Sequence, residues 1–322
     1  MRKRVFVSHQ LPGDGLAKLA EHCELDVWQG EGKVPRDYLL EHAAKADGLV
    51  CLLTEKIDRA LLNVCPRLSA VSSMSVGVDH VDVSALNEKK IPLGNTPGVL
   101  VDATADLAFA LLLAVARRIP EGDQFVRSGE WEGVSWSPTL FLGHSVAGKT
   151  LGIVGLGEIG QAVARRAQGF GMKVLGWSRS QRDIPGIRYC SFDEVLARSD
   201  FVSINVALAE QTRNLFDQKA LARMKPGAIL VNTARGGIVD ESALAASLET
   251  GHLAGAAFDV FEREPTSRNN PLLHAPNFVA APHTGSATLD ARTAMADIAL
   301  ENILAAMTGR PMPHCFNPEV YA

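Results

Sequence analysis

Long hydrophobic runs and basic tracts are missing from this chain of 322 residues. The longest apolar stretch, "LAFALLLAVA", has ten residues between Asp106 and Arg117, which is too short to span a bilayer and suits a buried helix. The formal net charge is −4, and no basic run follows the first four residues. Because nucleic acids and anionic membranes attract basic surfaces, neither is an expected partner.

Paired cysteines are also missing. The five cysteines are odd in number and widely spaced, with no CxxC pair and no histidine at ligand spacing. This usage favours the reducing cytoplasm and argues against a structural metal site, so no metal is expected. The basic start "MRKRVFVSHQLPGD" has an apolar part that stops at Val7, so it is not expected to act as a signal peptide.

Short β-branched runs alternate with amphipathic segments along most of the chain. The first alternation includes "RVFVS", "ELDVW", "GLVCLL" and "LSAVSS", and the second includes "KTLGIV", "KVLGWS", "FVSINV", "AILVNT", "AAFDVF" and "NFVAA". Such βα alternation predicts parallel sheets covered by helices, and the second series, with six candidate strands, is long enough for a full doubly wound unit.

Two long helices are predicted at the ends of the second alternation. One covers residues 102–118 with Asp102 as its cap. The other follows His283, has Ser286 or Thr288 as its cap, and stops at Gly309 and Pro311. Because the tail "CFNPEV" is too short to form a domain, we expect the chain to return to its first domain.

The string "LGIVGLGEIGQAVARR" places Gly155, Gly157 and Gly160 in G-x-G-x-x-G between an apolar strand and a helix. The first glycine permits a tight turn, the second lets a pyrophosphate approach the backbone, and the third lets helix and strand pack closely. The helix start offers free N–H groups to a phosphate. This context predicts a dinucleotide site.

The end of the following strand, "KVLGWSRSQR", indicates which dinucleotide is preferred. Enzymes that use NAD usually place a carboxylate here for the ribose 2′-hydroxyl, whereas this chain has Ser178 and Arg179. A guanidinium can pair with the 2′-phosphate of NADP. We therefore expect NADP(H) to be preferred, with NAD(H) as the alternative; Arg179 could instead be an ordinary surface charge.

Three chemically capable side chains follow three strands of the second alternation. Arg235 comes after "AILVNTA", Glu264 after "AAFDVFER" and His283 after "NFVAAP". Each alone is compatible with a structural role. Because the carboxyl ends of parallel strands meet at one edge, which is also where a dinucleotide lies, we expect the three to gather beside the nicotinamide.

The motifs "GLGEIG", "VNTARGGIVDESAL", "AAFDVFEREP" and "APHTGSAT", at these spacings, resemble the D-isomer-specific 2-hydroxyacid dehydrogenases. Within that family, "SMSVGVDHVDV", "GNTPGVLVDATADLAFALLLAVARR" and "SWSPTLF" are similar to the glyoxylate/hydroxypyruvate reductases. The resemblance implies a nucleotide-binding Rossmann domain, residues 101–286, inserted into a flavodoxin-like substrate domain, residues 1–100 and 287–322. The expected fold class is thus α/β with two doubly wound parallel-sheet domains.

The resemblance also implies site residues. Arg235, Glu264 and His283 become the catalytic trio, and backbone N–H groups of Val76 and Gly77 grip the substrate carboxylate. Trp136, supplied by the partner of a homodimer, and Ser286 lie near the substrate's 3-hydroxyl. The residues implied at the cofactor are Thr104, Gly155, Leu156, Gly157, Glu158, Ile159, Gly160, Ser178, Arg179, Ala234, Asp259 (for the nicotinamide amide) and Gly285.

One departure and several alternatives remain. After "FVSIN" the family tends to carry proline and threonine, where this chain reads "VALAEQT", so adenosine contacts around Ala207 are open. The expected reaction is NAD(P)H-dependent reduction of glyoxylate or hydroxypyruvate to a D-2-hydroxy acid, with His283 as general acid. Alternatives are reduction of 2-ketogluconate or another 2-keto acid, phosphoglycerate dehydrogenase, disfavoured because no regulatory domain follows residue 322, and a dinucleotide-sensing co-repressor.

Overall fold

A computed structural model describes residues 2–322. The chain forms two compact units. We call Met1–Leu100 together with Ala287–Ala322 the split unit, and Val101–Ser286 the inserted unit. Among the helices described between residues 2 and 322, none is both long enough and apolar enough to cross a membrane.

The split unit contains a parallel sheet of five strands in the order β2-β1-β3-β4-β5, which is the flavodoxin-like order. The strands are β1 (Arg4–Val7), β2 (Glu24–Val27), β3 (Gly48–Cys51), β4 (Ala70–Ser73) and β5 (Leu93–Gly94). The helices of its first segment are α1 (Gly15–His22), α2 (Arg36–Ala43), α3 (Arg59–Val64) and α4 (Val83–Glu88).

The central strands of this sheet are buried along their whole length. All residues of β3 and β4 are buried, as expected for parallel strands covered on both faces. The sequence patterns predicted neither β5 nor α4. A strand of two residues is too short to show a periodicity, and α4 has only six residues, with the side chain of its cap Asp82 accepting from Ala85 N.

The inserted unit contains a parallel sheet of seven strands in the order β12-β11-β10-β9-β6-β7-β8. The strands are β6 (Thr150–Val154), β7 (Lys173–Trp177), β8 (Arg188–Tyr189), β9 (Phe201–Ile204), β10 (Ile229–Asn232), β11 (Gly255–Phe258) and β12 (Phe278–Ala280). Six of these were predicted, and β8 was missed because it has two residues. The order reverses beside β6, which is where dinucleotides bind in doubly wound sheets.

The helices of the inserted unit cover both faces of its sheet. They are α5 (Val101–Ala116), α6 (Ile119–Arg127), α7 (Glu158–Gly169), α8 (Phe192–Arg198), α9 (Gln218–Arg223) and α10 (Glu241–Glu249). The predicted cap at Asp102 is wrong: α5 begins at Val101, and Asp102 lies in its first turn. There its carboxylate pairs with Arg166 of α7 at 3.2 Å.

The chain then forms α11 (Leu289–Met307) in the split unit. Of the two predicted caps, Thr288 is the observed one, and its hydroxyl accepts from Ala291 N at 3.2 Å. The helix ends before Gly309, which has a positive φ of 77°. The predicted fold class, two doubly wound parallel α/β units with one inserted into the other, is confirmed.

Candidate active site

The three candidate catalytic side chains follow three neighbouring strands. β10, β11 and β12 are adjacent and parallel, so their carboxyl ends lie at one edge of the sheet. Arg235 follows β10, Glu264 follows β11, and His283 follows β12. This adjacency gathers residues that are distant in sequence into one site.

Glu264 and His283 are in direct contact. Nδ1 of His283 lies 2.6 Å from Oε2 of Glu264. The Glu264 side chain is 30% exposed and the His283 side chain is 24% exposed. A carboxylate at Nδ1 places a proton on that nitrogen and leaves Nε2 as the atom available for exchange with a substrate.

Glu264 is held as an anion. Burial acts to raise its pKa, but hydrogen bonds from His283 and from the Phe261 amide, 2.9 Å from Oε1, outweigh burial and lower the pKa. The positive charges of His283 and Arg235 act in the same direction. The site therefore keeps a negative charge beside the imidazole.

The backbone at His283 is unusual. Its φ is 55°, in the left-handed region, which costs a residue with a side chain on the order of 1–3 kcal/mol. The amide of His283 donates to the carbonyl of Asp259 at 2.8 Å. The surrounding chain thus holds the imidazole on a strained backbone, as is common at functional sites.

Asp259 anchors the segment that carries His283. Its buried carboxylate accepts from Thr284 N at 2.6 Å and from Gly285 N at 2.7 Å. Burial outweighs these bonds and raises its pKa. A β-carbon at Gly285 would lie 3.2 Å from Asp259 and 3.3 Å from Thr104, so three of the predicted cofactor residues lie together.

The turn that carries Arg235 is fixed by a buried asparagine. Asn232 Oδ1 accepts from Ala234 N at 3.0 Å, and Asn232 Nδ2 donates to the carbonyl of Arg235 at 2.9 Å. The guanidinium of Arg235 donates to the carbonyl of Ala234 at 2.9 Å. Its positive charge lowers the pKa of Glu264, so the Arg235 side chain acts electrostatically on that member of the trio.

The glycine turn fits a bound dinucleotide. A β-carbon at Gly155 would lie 2.5 Å from the Asn205 carbonyl, and one at Gly160 would lie 2.0 Å from the Gly155 oxygen. A β-carbon at Gly157, by contrast, would meet no atom within 4 Å. Gly157 is the N-cap of α7. Glu158 and Ile159 then open α7, and Leu156 is buried. The open position is the one at which a pyrophosphate approaches the backbone.

The strand after α7 ends in the segment that was expected to select the cofactor. Ser178 Oγ donates to the carbonyl of Ser180 at 2.7 Å, and Arg179 is exposed. Arg182 donates to the carbonyl of Leu156 in the glycine turn at 3.3 Å. The sequence reasoning missed Arg182, since nothing in the pattern "SRSQR" distinguishes it from a surface charge.

The predicted substrate residues lie in both units. Val76 and Gly77 follow β4 in the split unit, and their carbonyls accept from Asn95 Nδ2 at 3.0 Å and Ser75 Oγ at 2.8 Å. Ser286 ends the inserted unit and is partly buried. Trp136 is 84% exposed, so its indole is not packed against the trio of its own chain.

Comparisons with known proteins identify relatives of this chain. The profile of the "D-isomer specific 2-hydroxyacid dehydrogenase, NAD binding domain" matches residues 109–285. Glyoxylate reductase of Thermococcus litoralis is 46% identical over 326 residues, which cover 99% of this chain and 98% of the relative. Glyoxylate reductase of Korarchaeum cryptofilum is 45% identical, over 99% of this chain and 97% of the relative.

Solved structures match over nearly the whole chain. A protein from Thermus thermophilus is 44% identical, with a TM-score of 0.93 over 97% of this chain and 99% of the other. An NADPH-dependent glyoxylate/hydroxypyruvate reductase from Sinorhizobium meliloti, solved with NADP and malonate, is 32% identical, with a TM-score of 0.85 over 98% and 97%. This chain belongs to the D-isomer specific 2-hydroxyacid dehydrogenase family.

Proposed function

We propose that this protein reduces glyoxylate to glycolate and hydroxypyruvate to D-glycerate, with NADPH as the preferred cofactor and NADH as the alternative. The observation that carries the proposal is the contact of 2.6 Å between His283 Nδ1 and Glu264 Oε2, in the same unit as the glycine turn. The names of the Thermococcus litoralis and Sinorhizobium meliloti relatives support this substrate class. None of the relatives named above supports the co-repressor alternative.

The glycine turn from Gly155 to Gly160 holds the cofactor pyrophosphate at the start of α7. A bound nicotinamide supplies the hydride of the reaction. Thr104, Ala234, Asp259 and Gly285 would contact the cofactor, with Asp259 at the nicotinamide amide. Because both carboxylate oxygens of Asp259 accept backbone bonds from residues 284 and 285, Asp259 also fixes the segment on which His283 is mounted.

His283 supplies the proton. As hydride is added to the carbonyl carbon at C2 of the substrate, negative charge builds on the carbonyl oxygen, and the imidazolium donates its Nε2 proton to that oxygen, leaving a neutral ring and a hydroxyl group. Glu264 fixes the orientation of the ring through Nδ1. General acid catalysis of this kind is typically worth about 10²- to 10⁴-fold in rate.

Arg235 holds the substrate. Its planar guanidinium can donate to a carboxylate and to the neighbouring carbonyl oxygen together, which fixes the reacting carbon relative to His283. Val76 and Gly77 offer backbone N–H groups to the same carboxylate. Their loop suits this role because its carbonyls already accept internal hydrogen bonds.

The preference for NADPH rests on the end of β7. No carboxylate stands at Ser178 to repel a 2′-phosphate, and the guanidinium of Arg179 is exposed and available to it. Arg182, which donates to the carbonyl of Leu156 in the glycine turn, adds a second positive charge to this segment. Charge-assisted bonds to phosphate are among the stronger hydrogen bonds in proteins.

The assembly we propose is a homodimer in which Trp136 of one subunit reaches the substrate site of the other subunit. There it lies with Ser286 near the substrate's 3-hydroxyl. Helix α6 has no buried residue, and the segment from α6 to residue 142 exposes several large apolar side chains that a second copy would cover: Ile119, Val126, Trp131, Val134, Trp136 and Leu142. We place the enzyme in the cytoplasm, a setting that suits five free cysteines.

Initial rates test the proposed function. Purified protein is assayed with glyoxylate, hydroxypyruvate, pyruvate and 2-ketogluconate, each with NADPH and with NADH, and the product configuration is determined. We expect the highest kcat/KM for glyoxylate or hydroxypyruvate with NADPH, and D-glycerate from hydroxypyruvate. Preference for 2-ketogluconate would support the alternative substrate, and absence of turnover with every pair would contradict the proposal.

A further inference from the structure

Glu241 bridges two ends of the loop that carries Glu264. We call residues 261–270 the Glu264 loop. Oε1 of Glu241 accepts from the Glu262 amide at 2.6 Å, and Oε2 accepts from Asn270 Nδ2 at 2.6 Å. One carboxylate, at the first residue of α10, therefore ties the beginning of the loop to its end.

The base that carries Glu241 is firmly held. Asp240 caps α10 by accepting from Ala243 N at 3.0 Å, and its own amide donates to the carbonyl of Phe216 at 3.1 Å. Leu244 and Leu248 of α10 are buried. The position of the Glu241 carboxylate is thus set by the core of the inserted unit.

The Glu264 loop itself is largely exposed. From Glu262 to Asn270, only Thr266 and Asn270 are partly buried, and the other residues are exposed. An exposed loop gains little from apolar burial, so hydrogen bonds to fixed elements decide how well it is ordered. The bonds from Glu241 supply such an anchor.

Two successive amides of this loop are bound by two glutamates. The Phe261 amide donates to Glu264 at 2.9 Å, and the next amide, of Glu262, donates to Glu241 at 2.6 Å. Glu264 then accepts from His283 Nδ1 at 2.6 Å. The path from α10 to the imidazole therefore consists of hydrogen bonds and one shared stretch of backbone.

The chemistry of the bridge requires a carboxylate. Both groups that face Glu241 are donors, and Asn270 cannot reverse its amide without loss, because its Oδ1 accepts from Leu272 N at 3.0 Å. A glutamine at position 241 would meet the Glu262 amide with its Oε1 atom. Its NH₂ group would then face the NH₂ group of Asn270, and neither of these groups can accept a hydrogen bond. Such a mismatch breaks the hydrogen bond to Asn270 and so loosens the bridge.

We propose that Glu241 is a positioning residue for the reaction, which acts by holding the Glu264 loop so that Glu264 meets Nδ1 of His283. This inference rests on the proposed function, in which Glu264 and His283 deliver the proton. Misplacement of a reacting group by about 1 Å costs on the order of 10²-fold in rate. Partial loosening of the loop is expected to lower kcat by about tenfold.

The test compares Glu241→Gln with the double variant Glu241→Gln/Asn270→Asp. In the double variant the glutamine NH₂ group meets a carboxylate, which also still accepts from Leu272 N, so the donor and acceptor pattern is restored with the roles exchanged. Glu249→Gln, an exposed position at the other end of α10, is the matched control. Each protein is measured for kcat, KM for NADPH, melting temperature and the pH dependence of kcat/KM.

We expect Glu241→Gln to lower kcat by about tenfold and to leave KM for NADPH within about twofold of the wild-type value. The acid limb of the profile of kcat/KM against pH should move to higher pH. The double variant should recover most of kcat and the original limb, and Glu249→Gln should match the wild type. A wild-type kcat and pH profile in Glu241→Gln, even with a lower melting temperature, would overturn the inference by showing a merely structural role.

A second measurement is independent of turnover. The carboxyl carbon of Glu264, assigned by its loss in Glu264→Gln, is titrated by NMR in the cofactor-free protein. Because bonds from His283 and the Phe261 amide lower the pKa of Glu264, loosening them in Glu241→Gln should raise that pKa, and the double variant should lower it again. A Glu264 titration in Glu241→Gln that matches the wild type would overturn the inference. A raised pKa of Glu264 in that variant, together with a wild-type protein that reduces no keto acid, would overturn the proposed function alone.

Discussion

Gly236 and Phe261 are in direct backbone contact. A β-carbon at Gly236 would lie 1.9 Å from the carbonyl oxygen of Phe261 and 2.0 Å from its carbonyl carbon. Gly236 follows Arg235, and Phe261 begins the loop that carries Glu264. The absence of a side chain at one residue thus lets the two catalytic loops pack backbone to backbone.

Gly236→Ala should therefore impair the enzyme more than an ordinary glycine substitution does. The clash involves main-chain atoms that cannot rotate away, so the two loops must separate, and we expect a loss of about 2 kcal/mol or more in the free energy of unfolding together with a lower kcat. Gly169→Ala, where the new β-carbon meets nothing within 4 Å, is the control. Urea unfolding and initial rates measure both effects. Equal stability of the two variants would contradict the packing argument.

His283 is expected to be required for turnover and dispensable for cofactor binding. His283→Ala and His283→Asn should both lower kcat by at least about 10²-fold, because a proton donor acts in the transition state. Asparagine tolerates the φ of 55° seen at this position, so only the alanine variant should also lose stability. Fluorescence titration should give an NADPH Kd close to that of the wild type for His283→Asn. Near-normal kcat in that variant would leave His283 with a structural role.

The ionisation of Glu264 predicts how activity depends on pH. Its pKa is lowered from an ordinary value near 4.5, so the ionised carboxylate stabilises the folded protein above that value, and this contribution is lost as the pH falls through the lowered pKa. The same protonation removes the partner of His283. We expect kcat/KM to fall on the acid side with this group, and Glu264→Gln to lack that limb and to have a kcat about tenfold lower. An acid limb of wild-type position in Glu264→Gln would assign it to another group.

Much of this arrangement follows from the succession of strands along the chain, which the sequence reveals. The alternation of apolar runs predicted which strands carry Arg235, Glu264 and His283, and parallel pairing places their ends together. The elements β5 and β8 were missed because two residues cannot show a period. Glu241 and Arg182 were missed for another reason: their partners, Asn270 and Leu156, are chosen by tertiary packing, and a sequence pattern does not show which carboxylate or guanidinium finds a backbone group.

Trp136 provides a prediction about assembly and specificity together. We expect a dimer by light scattering at micromolar concentration, and Trp136→Ala should raise KM for hydroxypyruvate by about fivefold, the worth of roughly 1 kcal/mol for one hydrogen bond. KM for glyoxylate should hardly change, because glyoxylate has no 3-hydroxyl. Trp131→Ala, at another exposed tryptophan of the same segment, is the control and should leave the ratio of the two KM values unchanged. A fully active monomer would rule out a contribution from the partner.

Cofactor choice should depend on the two residues that follow β7. A charge-assisted bond from Arg179 to the 2′-phosphate is typically worth about 1.5–3 kcal/mol, so Arg179→Ala should raise KM for NADPH by roughly 10- to 150-fold and leave NADH kinetics nearly unchanged. Ser178→Asp should also shift the cofactor preference from NADPH towards NADH, because a carboxylate there accepts a hydrogen bond from a 2′-hydroxyl and repels a 2′-phosphate. Arg188→Ala, an exposed arginine on β8, controls for a general loss of positive charge. Equal losses for NADPH and NADH in Arg179→Ala would mean that this arginine does not bind the 2′-phosphate, and the predicted preference would then depend on Arg182 alone.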